Sequence, residues 1–194
     1  MFETDSSNLK SNEALIKGCA KGDRAYQNQL YKVYGAKMLM LCMRYAKTKE
    51  DAEDILQEGF LQVFTSINQV KTAEALEGWM RKVFINCALQ KLRNKKNKYS
   101  LIDIDSLPEI HIINCTVEEE IDAKFLIGCI QNLPLVSRLV FNLYVFEGFK
   151  HKEISKMLKI SEGTSKSNLF DARNSLKKQL KNYYPLFLEN VVNG

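Results

Sequence analysis

The sequence predicts an all-α protein built as two small helical domains joined by an extended acidic linker. Three observations carry that expectation. Apolar residues recur at helical spacing through residues 12–92 and again from 119 to 180, with no sustained alternation of the kind strands show. Charge is segregated along the chain: residues 1–98 sum to +6, residues 99–122 to −7 with no basic side chain, and residues 123–194 to +6. Two basic bodies flanking an acidic strap suit two nucleic-acid-binding modules and a connector of different character. Finally, Asp51 to Phe64 sets an acidic helix face inside the first basic body. Such a face should meet a basic partner, and DNA is not one.

Residues 1–10 are polar and read as a flexible N-terminus. The first domain is expected over residues 11–98. From Asn12 the residues Ala14, Leu15, Ile16 and Cys19 follow a helical pattern that breaks at Gly22-Asp23. Asp23 suits the cap of a second helix through Leu30, Val33 and Tyr34, which Gly35 ends or bends. Ala36 to Ala46 continues as a central core helix with Leu39, Cys42, Met43 and Tyr45. Thr48 suits the cap of the next helix, where Glu50 and Asp51 complement the macrodipole. In that helix Ile55, Gly59, Phe60, Val63 and Phe64 fall along one side, and Asp51, Asp54, Gln57 and Glu58 along another. Ser66 to Lys71 reads as a loop. A further helix runs from about Ala73 toward Lys91, with Leu76, Trp79, Met80, Val83, Phe84, Cys87, Ala88 and Leu92 as its apolar stripe. Its end, KLRNKKNK, is either a solvated helix terminus suited to the dipole or a phosphate-facing patch. The single sign of the charge favours the patch.

Residues 99–122 form the acidic linker, with a turn at Leu107-Pro108. A strand around His111 to Ile113 would have no pairing partner nearby. The second domain is expected over residues 123–182, followed by a tail over 183–194. Asn132-Leu133-Pro134 separates a helix ending at Ile130 from one carrying Val136, Leu139, Val140, Leu143 and Tyr144, which Gly148 closes. His151 to Leu158 is a short helix burying Ile154, Met157 and Leu158. Lys159-Ile160-Ser161 is a tight turn, and Ser161 caps a helix from Glu162 to about Leu180. There Ser165, Leu169, Ala172 and Leu176 line the inner side, while Lys166, Ser167, Phe170, Asp171, Arg173 and Asn174 point outward. Two short helices, a tight turn and a polar outer face describe a helix-turn-helix.

Composition excludes other classes. No apolar run approaches the ~18–20 residues of a membrane span, and no signal peptide is visible. Cys19, Cys42, Cys87, Cys115 and Cys129 are odd in number and lack a CxxC pair; with only His111 and His151 beside them, they read as reduced cytosolic thiols rather than a metal site. GxxxxGK[ST] and GxSxG are absent, the two histidines fall in different modules, and no carboxylate pair sits in an apolar setting, which argues against an enzyme.

The motifs in combination are more specific than any one of them. DAEDILQEGF at 51–60, LEGWMRKVFINCALQKLRNKK at 76–96, LPLVSRLVFNL at 133–143 and EISKMLKISEGTSKSNLFDAR at 153–173 occur in one order and spacing. Together they resemble a bacterial RNA polymerase sigma factor of the extracytoplasmic-function (ECF) type of the sigma-70 family. That resemblance implies a sigma region 2 helical bundle and a sigma region 4 helix-turn-helix. It implies an alternative sigma factor, a non-catalytic cytoplasmic subunit that binds core polymerase and directs promoter recognition, −10 melting and transcription initiation. The implied partners are core RNA polymerase, through the β′ clamp helices and the β flap, and promoter DNA. An anti-sigma factor or another recruiting partner stays open. No cofactor, metal or membrane insertion is implied.

By the same resemblance Asp51, Asp54, Gln57 and Glu58 dock on the clamp helices, the basic partner that the acidic face requires. Asn68, Gln69, Val70 and Lys71 belong to the loop that holds a base flipped from the −10 element. Trp79 is either the stacking neighbour of that base or, more in keeping with its apolar stripe, a core residue. Lys82, Asn86, Lys91, Arg93 and Lys95 follow the strand phosphates. Lys166, Ser167, Asn168 and Phe170 stand nearest the −35 bases, with Arg173 nearer the backbone. The strap matches the segment that enters the polymerase RNA path. The chain departs from the family pattern at Ser155, Ser165, Asn168 and Asp171, and Asn168 and Asp171 replace frequent arginines. Two lost cations predict weak −35 reading. A one-component repressor with a C-terminal helix-turn-helix is the alternative, but it leaves DAEDILQE and the basic run at 91–98 unexplained.

Overall fold

The computed structural model describes residues 5–94 and 120–183, with side chains described over 11–92 and 124–181. The chain divides near residue 110 into two compact units, and every regular element among the described residues is helical.

Unit 1 contains α1 (Asp5–Ala20), α2 (Arg24–Tyr45), α3 (Lys49–Ser66) and α4 (Ala75–Asn94). The first helix begins inside the segment expected to be a flexible N-terminus. Gly22, at φ 75°, makes the turn after α1, and the Ala25 amide donates to Asp23 Oδ1 at 2.8 Å to cap α2. The break expected at Gly35 does not occur: α2 is one helix of 22 residues. Its buried stripe of Leu30, Tyr34, Met38, Leu41, Cys42 and Tyr45 continues across the glycine, and that packing outweighs the roughly 1 kcal/mol an internal glycine costs. Thr48 Oγ1 accepts from the Asp51 amide at 3.2 Å to cap α3. The expected loop 66–71 is tighter than read: Ser66 ends α3 and Ile67–Gln69 adds one 3₁₀ turn.

The helix α4 packs against α2 and α3, with Val83 through Leu89 all buried. It packs antiparallel to α3, where Gly59 opposes Phe84 and Phe60 meets the Phe84 ring edge-on at 5.2 Å. Ion pairs hold both its ends: Lys37 to Glu77 at 3.2 Å, and Lys91 to Asp54 at 2.7 Å. Cys19, Cys42 and Cys87 serve as small apolar core residues. Burial pushes the Cys19 thiol up to about 11 and the Cys42 and Cys87 thiols up to about 12. Cys115 lies outside the described residues.

Unit 2 contains α5 (Glu120–Gln131), α6 (Leu135–Phe141), α7 (His151–Leu158) and α8 (Glu162–Tyr183). The helix expected to run until Gly148 changes pitch: after α6, Asn142–Phe146 forms a π turn. The wider turn brings Asn142 and Leu143 inward together, both fully buried. Gly148, at φ 73°, closes it. The linker's proposed turn and strand, and the tail beyond Tyr183, lie outside the described residues.

Candidate docking face and nucleic-acid interface

The acidic face forms because α3 buries Ala52, Ile55, Leu56, Gly59, Phe60 and Val63, which turns Asp54, Gln57 and Glu58 to solvent and leaves Asp51 half-buried. Its first carboxylates sit at the helix start, where the macrodipole favours negative charge. The Lys91 side chain reaches this face from α4. The Lys91 ammonium is 2.7 Å from Asp54 Oδ2 and donates to the Asp51 carbonyl at 3.4 Å. The sequence places Lys91 among the phosphate-following residues; its charge is instead engaged by α3, because the antiparallel packing sets the last turn of α4 beside the first turns of α3. The Glu58 carboxylate helps to raise the nearby Cys87 thiol, second to burial.

The loop following α3 is anchored from below. Ile67 is fully buried, and the Val70 amide donates to its carbonyl at 3.0 Å. Asn68, Gln69 and Lys71 are exposed around it and Val70 is half-buried. Tyr34 Oη donates to Asn12 Oδ1 at 2.9 Å, and the Asn12 amide reaches the Ala73 carbonyl at 3.4 Å, which pins the chain as it enters α4. Trp79 and Lys82 are half-buried. Asn86 does not stand on the surface: it is 9 % exposed, and neither amide atom has a hydrogen-bond partner among the described residues. It is drawn in because α4 is enclosed on all sides there. The Arg93 side chain and all of Lys95 lie outside the described residues.

In unit 2, α7 and α8 form a helix-turn-helix. Lys159 takes the left-handed conformation at φ 53°, and the Ile160 amide closes the turn on the Ser155 carbonyl at 3.0 Å. Ser161 Oγ accepts from the Thr164 amide at 2.9 Å, capping α8. Lys166, Ser167, Phe170, Asp171, Arg173 and Asn174 are exposed on the outer side, and Ser165, Leu169 and Ala172 are buried on the inner one. Asn168 leaves the outer set: its Oδ1 accepts from buried Ser137 of α6 at 2.9 Å and its Nδ2 donates to the Thr164 carbonyl at 2.8 Å. An arginine there would carry its charge outward; the shorter amide turns back and ties α8 to α6.

The structure gives one of the departures a partner, His151, to which the sequence pattern assigned no role at the site. Ser165, one of the departures, is fully buried and hydrogen-bonds His151 Nδ1 at 2.9 Å. The His151 ring stacks on Tyr144 at 4.6 Å, and the Arg173 guanidinium lies 5.8 Å from the centre of that same ring. Burial, with Lys166 next and Arg173 in support, lowers the imidazole from its ordinary 6.5, while Glu162 opposes them. A polar residue at a normally apolar inner position of α8 was the available signal, since a buried hydroxyl needs a partner.

An exposed acidic helix face in one helical unit and a helix-turn-helix in another are the features of a DNA-binding protein that carries a second, acidic surface. Comparison with known proteins sharpens that class. The sigma-70 region 2 family model matches residues 30–98 and the sigma-70 region 4 model matches residues 126–176, more than half of the chain together. The chain belongs to the sigma-70 family of RNA polymerase sigma factors, in its ECF group. It is 28 % identical over 182 residues to the ECF RNA polymerase sigma factor SigW of Bacillus subtilis, covering 86 % of this chain and 95 % of that protein. It is 24 % identical over 189 residues to the RNA polymerase sigma-H factor of Pseudomonas aeruginosa, covering 89 % and 95 %. Among solved structures, the fold resembles the sigma factor RpoE in complex with the anti-sigma factor NepR from Bartonella quintana: TM-score 0.51, 18 % identity, 79 % of this chain and 96 % of that one. Among the described residues no helix is long and apolar enough to cross a membrane.

Proposed function

We propose that this chain is an alternative sigma factor: a non-catalytic, cytoplasmic initiation subunit that binds core RNA polymerase and directs promoter recognition, −10 melting and transcription initiation. The observation that carries the reading is the coincidence of two regions with two surfaces. The region 2 match spans the acidic helix, and the region 4 match spans the helix-turn-helix with its exposed outer face. In this reading Asp51, Asp54, Gln57 and Glu58 dock on the β′ clamp helices, and region 4 also meets the β flap. Asn68, Gln69, Val70 and Lys71 hold a flipped −10 base, which costs a few kcal/mol to unstack and needs amide groups to read it. Trp79, Lys82, Arg93 and Lys95 extend that −10 surface, to which Asn86, buried in the same helix, offers no exposed group. Lys166, Ser167, Phe170 and Arg173 meet the −35 element, with Asn168 bracing the helix that carries them. An anti-sigma factor is a fitting further partner, as RpoE has one in NepR.

Purified protein added to bacterial core polymerase should yield promoter-specific transcripts. Tight DNA binding without polymerase, and no transcript with it, would instead support a one-component repressor.

A further inference from the structure

Lys91 stands where the acidic face of α3 meets the basic end of α4. It opens the basic run KLRNKKNK, yet its ammonium lies 2.7 Å from Asp54 Oδ2, and its side chain is only 19 % exposed against 66 % for its partner. The stem is packed while the charge is delivered to the acidic face. Both ends of the pair are favoured where they are: the carboxylate near the start of α3, the ammonium in the last turn of α4. The second donation, to the Asp51 carbonyl at 3.4 Å, fixes the ammonium on the face rather than beside it. The remaining carboxylates differ. Glu53 pairs with Lys49 at 3.4 Å, and exposed Glu58 has no ion pair among the described residues.

We infer that Lys91 is an intramolecular stand-in for the basic partner of the acidic face, holding Asp54 in the free protein and giving it up when that partner docks. The inference rests on the docking role of α3 proposed above. One ammonium at this distance cannot leave the full attraction of Asp54 available to an incoming cation, so docking at Asp54 is an exchange of ion pairs, whereas docking at Glu58 is a simple gain. Lys91 therefore acts as a positioning residue that sets how strongly the face attracts its partner. Once exchanged, it joins the basic run that follows it.

The test compares full-length protein with Lys91→Met, which keeps the aliphatic stem, and with Lys91→Arg, which keeps the charge, by titration against core polymerase at several salt concentrations. The Met variant should bind about two- to fivefold tighter at low salt, the range of one partly exposed ion pair, with the gain shrinking as salt rises. Lys91→Arg should bind as the parent does, and the gain should vanish in an Asp54→Asn background. Lys91→Gln serves the same comparison where the Met variant melts early. Equal or weaker binding by a folded neutral variant at low salt overturns the inference. A double reversal, Asp54→Lys with Glu58→Lys, separates the two ideas: if it leaves core binding intact, the docking assignment itself fails; if it abolishes binding while Lys91→Met changes nothing, only the exchange fails.

Discussion

Gly59 has no side chain because the Phe84 ring occupies the space one would need. A Cβ built there would lie 2.3 Å from Phe84 Cε1 and 2.4 Å from Cδ1. Helix propensity alone favours alanine by about 1 kcal/mol, but overpacking a core costs about 1–3 kcal/mol, and an approach this close belongs at the severe end. Gly59→Ala is therefore expected to lower stability despite its better propensity, read as a lower denaturant midpoint at unchanged slope. The sequence showed the glycine but not its reason, since the ring arrives from a different helix. His151 is a second case. Its folded imidazole titrates below its ordinary 6.5 because of burial, Lys166 and Arg173, against Glu162. The folded protein thus binds fewer protons than the unfolded chain, so stability holds above about pH 6.5 and falls as pH drops below it. His151→Gln, whose amide reaches Ser165 without titrating, should lose less melting temperature between pH 7.5 and 5.5 than the parent.

At the scale of the element, α8 shows how a helix that reads DNA also serves its own unit. Exposure of Lys166, Ser167, Phe170 and Arg173 on one side, with Ser165, Leu169 and Ala172 buried on the other, was legible from the 3.6-residue period. The inward turn of Asn168 was not, because its partner Ser137 sits on α6 and nothing local marks it. The same limit hid the continuity of α2 through Gly35 and the π turn after Phe141: both depend on what packs against the helix, not on its own residues. Asp171 stays exposed with a charge that repels phosphate. Exchanging it for arginine should tighten holoenzyme binding to −35-containing DNA and steepen the salt dependence, by roughly one unit of log–log slope for each additional phosphate neutralised. Asn168→Arg should tighten binding less, because it strands the Ser137 hydroxyl without its acceptor, at about 1–3 kcal/mol in a buried site. If parent holoenzyme alone already binds tightly in a −35-dependent manner, the weak-reading proposal is wrong.

The whole molecule is two units, each with a core of its own. Leu30, Met38, Tyr45, Ile55, Leu76, Met80 and Phe84 are buried in the first, and Val140, Leu143, Ile154 and Ala172 in the second. The charge pattern of +6, −7 and +6 made a division into two bodies legible in the sequence, although α5 begins at Glu120, inside the stretch read as linker. Separate cores imply separate unfolding equilibria, because cooperativity extends only as far as shared burial does. Calorimetry on the full chain should resolve two transitions. Gly59→Ala should move one of them and leave the other in place. His151→Gln should change the pH dependence of the second alone. A single transition displaced by both substitutions would mean that the units share one folding equilibrium. In that case the acidic face and the helix-turn-helix could not be perturbed independently, and effects of the Lys91 or Asp171 variants on polymerase and promoter binding would have to be read against a common change in stability.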